Sequence, residues 1–111
     1  MAFTEGANDG ALNGTTEVTI VAAPASSTRR VVTTITIYNK DTAAVTVELR
    51  YKASSTRIMA KPTLQVGDTF IFGGGGEVEV LDSTSKSITA VMSGAAATNN
   101  PEFTAAYGDS T

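Results

Sequence analysis

Two stretches of the chain alternate apolar and polar residues with a period of two. In the second, Val45, Val47, Leu49 and Tyr51 alternate with Thr46, Glu48, Arg50 and Lys52. That spacing places the apolar set on one face of a strand and the charged set on the other. In the first, Val31, Ile35 and Ile37 are interspersed with Thr33, Thr34 and Thr36, a β-branched run suited to a half-buried pleated surface. Asn39-Lys40-Asp41-Thr42 lies between them, and Asn and Asp favour tight turns because their side chains bond the nearby backbone. The pattern predicts a β-hairpin over residues 29–52.

Five further short strands follow from the same signals. Residues 17–23 end at Pro24 and residues 56–61 stop at Pro62, where proline removes a backbone donor. Residues 69–72 put Phe70 and Phe72 on one face, residues 77–81 point Val78 and Val80 inward with two glutamates outward, and residues 87–93 close the set. Residues 64–68 read as a turn, with Gly67 able to take positive φ. About seven short strands at roughly ten-residue spacing predict an all-β fold, an antiparallel β-sandwich with one solvated face per sheet. No apolar stripe of helical period is present, so no long amphipathic helix is expected. Residues 1–15 and 94–111 are rich in small residues. They are expected as extended N- and C-terminal arms flanking a sandwich domain over residues 16–93, the last arm holding only Phe103 and Tyr107 as large apolar groups.

Composition narrows the function classes. A chain of 111 residues with 41% hydrophobic residues is one domain with a modest core. The net charge of −3 lacks the basic footprint of a nucleic-acid binder. All eight Lys and Arg fall between Arg29 and Lys86, while the ends carry only Glu5, Asp9, Glu17, Glu102 and Asp109. Acidic ends suit docking on a basic neighbour, or simple solubility. There is no Cys and no His, which removes disulfides, the common nucleophile–base triads and the usual Zn and Cu sites. No apolar run approaches a membrane span and the N-terminus lacks the features of a signal peptide, so synthesis and assembly in a cytoplasm are expected.

The remaining candidates for chemistry are weak. Glu77 and Glu79 are neighbours on one strand face, where a solvated surface is the simpler explanation. The glycines at 73–76 lack the Lys-Ser/Thr and the helix of a phosphate loop; a hairpin loop that admits close approach of another backbone is expected instead. Asp9, Asp41, Asp68 and Asp82 lack calcium-loop spacing and suit turns. Arg29, Arg30, Arg50, Lys52 and Arg57 would form a basic patch for an acidic protein surface, or lie solvated. No aromatic cluster builds a small-molecule pocket. No catalytic residue, cofactor or metal is assigned, and an assembly protein is expected over an enzyme. Its partner-facing residues are expected among Phe3, Glu5, Asp9, Arg29, Arg30, Phe103 and Tyr107.

The order of features from Arg29 to Ser93 resembles small β-sandwich virion proteins of tailed bacteriophages. The matching residues are Arg30, Val32, Ile35, Ile37 and Asn39, then Val45, Val47 and Leu49. Leu64, Gly67, Asp68 and Thr69 follow as a Gly-Asp-Thr turn, and Ile88, Ala90 and Ser93 end the pattern. The resemblance implies a capsid decoration (cement) protein that stabilises the head, or a neck or tail subunit, with no catalytic residue. The expected partners are the major capsid protein or other virion subunits and further copies of the chain, a trimer being favoured, with no nucleic acid and no membrane; the expected location is the virion. A carbohydrate- or protein-binding module using loops such as 73–76 is the alternative from another class. The chain has no Trp, and Tyr38, Tyr51 and Tyr107 are its tyrosines.

Overall fold

The computed structural model describes residues 3–76 and 78–111. Its strands in chain order are β1 (Phe3–Ala11), β2 (Val18–Val21), β3 (Arg29–Tyr38), β4 (Val45–Lys52), β5 (Thr56–Ala60), β6 (Thr63–Leu64), β7 (Thr69–Phe72), β8 (Glu79–Leu81), β9 (Ser87–Met92) and β10 (Glu102–Ser110). Their pairings are nested. β1 pairs antiparallel with β10, β2 with β9, β3 with β7 and β8, and β4 with β5 and β6. The pairs run inward from Phe3↔Ser110 to Lys52↔Thr56. Folding this long ribbon over itself brings β10 beside β3 and β9 beside β4. Two five-stranded antiparallel sheets result, one ordered β1-β10-β3-β7 with β8 also on β3, the other β2-β9-β4-β5 with β6 also on β4. This wrapped order is that of a jelly roll, a form of antiparallel sandwich. The core lies between the sheets: Val32, Ile35, Ile37, Leu81 and Phe103 meet Ile20, Val47, Leu49, Ile88 and Ala90. Burying each large apolar side chain contributes about 1.5–3 kcal/mol.

Residues 29–52 are not a hairpin. β3 and β4 belong to different sheets, and their apolar faces oppose each other across the core instead of pairing edge to edge. The cause is the loop between them. Asn39 Oδ1 accepts from the Asp41 amide (2.9 Å) as a turn residue should, but Asn39 Nδ2 donates to the carbonyls of Ala43, Leu64 and Gln65. Asp41 is likewise engaged at long range: Oδ2 accepts from the Ala97 amide (2.8 Å) and Oδ1 from Thr98 (2.8 Å) and Asn99 (3.0 Å), as well as from Thr42. Both side chains are buried. The loop thus ties together the β3–β4, β6–β7 and β9–β10 connections, and the chain crosses between sheets there.

The loop at 73–76 is not a hairpin either. β7 and β8 lie one after the other along the same edge of β3, at Ile35–Tyr38 and Arg30–Val32. Thr33, unmatched in the register with β10, bulges between them. Gly73 sits at φ 92° against that bulge, where a Cβ would lie 1.9 Å from the Thr33 carbonyl oxygen. Close backbone approach is therefore met, by the chain itself. In β8, Leu81 is the buried residue and Val80, expected inward, is only half-buried opposite Val31. Val78, just before the strand, is 51% exposed and not inward, and Glu77 lies outside the described residues.

Both segments expected as arms contain long strands, joined to each other. β10 is an inner strand with Phe103 and Ala105 in the core. β1 is the edge strand beyond it. Glycine and alanine weaken the strand signal in both, and three glycine–aromatic pairs supply what propensity does not. A Cβ on Gly6 would lie 2.5 Å from the Tyr107 ring, one on Gly10 would lie 3.1 Å from Phe103, and one on Gly108 would lie 2.5 Å from Phe3. Each ring covers the bare backbone of the facing strand, as aromatic residues rescue glycines in sheets.

Three outcomes test this account. Asn39→Ala leaves buried carbonyls without a donor and is expected to lower the unfolding free energy by about 3 kcal/mol in urea titrations. Asn39→Asp should not restore it, because a carboxylate cannot donate. Asp41 is held down to about 2, chiefly by the Asn99 and Ala97 amides. Its stabilisation is complete above the unfolded value of about 3.9 and disappears as pH falls through about 2. Asp41→Asn should flatten the acid limb of the stability profile in that window, and an unchanged slope would refute the assignment. Gly6→Ala presses a methyl into a half-buried ring and should cost about 2 kcal/mol, read as faster amide exchange along β1. In Gly108→Ala the exposed Phe3 can swing aside, so exchange should change less.

Candidate assembly interface

The two outer faces of the sandwich differ in kind. On the β2-β9-β4-β5 sheet, the polar positions of β4 project Glu48, Arg50 and Lys52 outward, and Glu17 reaches them from the start of β2. Arg50 donates to Glu48 (2.7 Å) and Glu17 (2.8 Å), and Lys52 donates to Glu17 (3.1 Å). Arg50 and then Lys52 hold the Glu17 carboxyl below its usual range, while Glu17 and Glu48 raise the Arg50 guanidinium. Exposed pairs of this kind contribute little to stability. They do neutralise Arg50 and Lys52 in place, which removes them from the basic patch expected from sequence.

The outer face of the β1-β10-β3-β7 sheet is threonine-rich, with its charged side chains, Glu5, Asp9, Arg29 and Glu102, toward its margins. Thr36 and Thr104 join their hydroxyls across β3 and β10, and Thr33 donates to the Ala106 carbonyl. Large apolar side chains stand exposed here: Phe3 at 66%, Ile71 at 54% and Tyr38 at 45%. Between β1 and β3 runs a groove of about 460 Å³, floored by Ala106 and Gly108 and walled by Phe3, Glu5, Val31 and Thr33. Ile71 was legible in principle, since it alternates with the inward Phe70 and Phe72. The groove was not, because its walls on β1 and β3 and its floor on β10 come from segments far apart in the chain.

The seven residues expected to face a partner separate into three groups. Phe3, Glu5 and Asp9 are exposed on β1, and Arg29 is exposed at the start of β3. Phe103 is a core residue instead, 3% exposed. Arg30 and Tyr107 serve an internal cluster: Arg30 grips Asp109 with two bonds (2.8 and 3.0 Å), donates to the Ala22 carbonyl (2.7 Å) and lies 4.1 Å over the Tyr107 ring. Arg30 and Asp109 are cross-strand partners, so this fork–fork pair fixes the end of β10 in register. It also holds the Asp109 carboxyl below the ordinary range.

Two smaller hollows offer no reactive pairing. One, of about 200 Å³, borders Asp41, whose carboxylate is already saturated by amides. The other, of about 260 Å³, borders Glu48 and Arg50, which are paired to each other. Among the described residues, no group of three His, Cys, Asp or Glu side chains is placed to hold a metal ion.

No protein-family model and no curated protein matches the chain. Solved structures do. A protein of Bacillus endospore appendages, described as forming a novel family of disulfide-linked pili, superposes with TM-score 0.53 at 14% identity, over 96% of this chain and 85% of the other. A chain of the T13 IBDV viral particle gives TM-score 0.52 at 12% identity, over 96% of this chain. This protein spans only 30% of that viral chain. A chain of the cyanophage Pam1 capsid gives TM-score 0.49 at 14% identity, over 97% and 82%, too distant to argue from. At such identities the likeness is one of fold alone. Lacking cysteine, this chain cannot form the disulfide links for which the appendage pili are described.

Proposed function

We propose that the protein is a non-enzymatic virion structural subunit, a decoration (cement) protein that binds the outer surface of a capsid and stabilises the head. The observation that carries this reading is the outer face of the β1-β10-β3-β7 sheet: a threonine- and alanine-rich surface with a groove and an exposed Phe3 at its wall. Such a face is suited to a protein surface of matching shape, with Phe3 as the anchoring side chain. The carboxylates of Glu5 and Asp9 along β1 favour a basic rim on the partner, taken here as the major capsid protein. The motif order from Arg29 to Ser93 and a fold shared with a chain of a viral particle support the same reading. A sugar-binding module is less well served. Tyr51 donates to the Val80 carbonyl and Tyr107 lies beneath Arg30, so of the three tyrosines only Tyr38 is open to stacking.

Antibody–gold labelling of particles from the source tests the assignment, with gold expected over the head. Gold confined to the neck or tail would replace the decoration reading with a ring subunit. Phe3→Asp removes no core side chain, so the sandwich should stay folded with only the end of β1 loosened, and occupancy on particles should fall at least about tenfold, equivalent to about 1.4 kcal/mol. Undiminished occupancy would remove this face as the contact.

A further inference from the structure

The two sheets end in edges of opposite charge. β1 is a nine-residue edge strand, all of it exposed except Gly6. Among the described residues it pairs in the sheet only with β10, Asn8 Nδ2 also donating to the Ile20 carbonyl of β2 (2.9 Å), and its other side presents a row of backbone donors and acceptors. It carries Glu5 and Asp9, no base, no proline and no bulge, the devices that normally blunt an edge being absent apart from the acidic charge. The far edge of the opposite sheet is β5, continued by β6. Its residues 56–64 carry Arg57 and Lys61, both exposed, and no acid; a bulge at Met59 and Pro62 limit the regular part of this edge to the strand β5.

We propose that copies of this protein join head to tail by strand addition, β1 of one copy pairing with the β5 edge of the next. Backbone hydrogen bonds supply the adhesion, and charge supplies direction. The alternatives are disfavoured by the same charges. Two β1 strands aligned antiparallel about Ala7 would set Glu5 opposite Asp9. Two β5 edges would bring Arg57 and Lys61 together. The β7–β8 edge carries Glu79 and is followed by Asp82, which repels an acidic strand. β1 against β5 places two carboxylates of one continuous strand, Glu5 and Asp9, beside cations, whereas the short strands β7 and β8 offer β5 the single carboxylate of Glu79, so like edges reject each other and the longest acidic edge is the one that β5 accepts. Because the two edges differ, the contact is heterologous. Its rotation either closes into a ring, a trimer being one closure, or continues as a filament.

The test uses purified full-length protein without particles, so its failure is distinct from failure of the capsid-surface reading. Wild-type protein should self-associate in sedimentation velocity, and less so at high salt. Glu5→Lys with Asp9→Lys should abolish association, and so should Arg57→Glu with Lys61→Glu, each double variant keeping the wild-type circular dichroism spectrum. Mixing the two double variants restores opposite charge at every junction and should restore assembly. A wild-type protein that stays monomeric at high concentration overturns the proposal. So do variants that assemble alone, or a mixture of the two that stays monomeric.

Discussion

The fold depends on a buried polar loop. Asn39 and Asp41 have negligible exposure, so every polar atom they carry needs a partner, and the partners come from three separate connections. A buried carboxylate that accepts four amide bonds is stabilised as the anion, and its depressed titration reflects that. Structurally, the consequence is directional. By holding the amides of residues 97–99, Asp41 aims the chain leaving β9 toward the other sheet, where it becomes β10. Without that crossing, β10 would not reach β3, and β1 would have nothing to pair with.

The closing pair β1–β10 is built differently from the rest. The core strands use β-branched residues at alternating positions, whereas β1 and β10 use bare glycine backbone under aromatic rings. The Arg30–Asp109 fork and its contact with Tyr107 then clamp the far end of β10 to β3. These arrangements let a strand of low intrinsic propensity persist at an exposed edge. They also leave that edge slender, acidic and open, which is the condition for pairing with another chain.

Functional polarity follows from how charge is distributed between the faces. One outer face closes its charges on itself through Glu17, Glu48, Arg50 and Lys52. The other keeps threonine hydroxyls, alanine methyls and Phe3 at the surface. A self-satisfied ionic face has little to gain from a partner, while a face whose middle is threonine, alanine and an apolar groove loses little water-binding capacity there when covered. The assembly reading therefore attaches to one face and one pair of edges, not to the molecule as a whole.

Local pattern determined what is local. Period-two alternation in residues 31–37 and 45–52, together with β-branched and turn residues, was enough to specify an all-β sandwich and seven of its strands. The inward faces of β4 and β7 followed too, because side-chain direction in a strand is set by the backbone itself, but beside the Thr33 bulge they did not: Val31 lines the outer groove and Val78 is exposed. Alternation does not say which strands are neighbours. Asn39 and Asp41 look like hairpin residues in sequence and act as a three-way tie in space, since an amide or carboxylate can serve the nearest backbone or one more than fifty positions away. The same holds for β1 and β10, whose glycines read as loop until the rings of Phe3, Phe103 and Tyr107 lie over them. Phe103, exposed in a free arm, becomes a core residue once that arm is a central strand, and Tyr107 becomes half-buried. Pairing energy between segments far apart in the chain decided these features, and that energy exists only once both segments are in place.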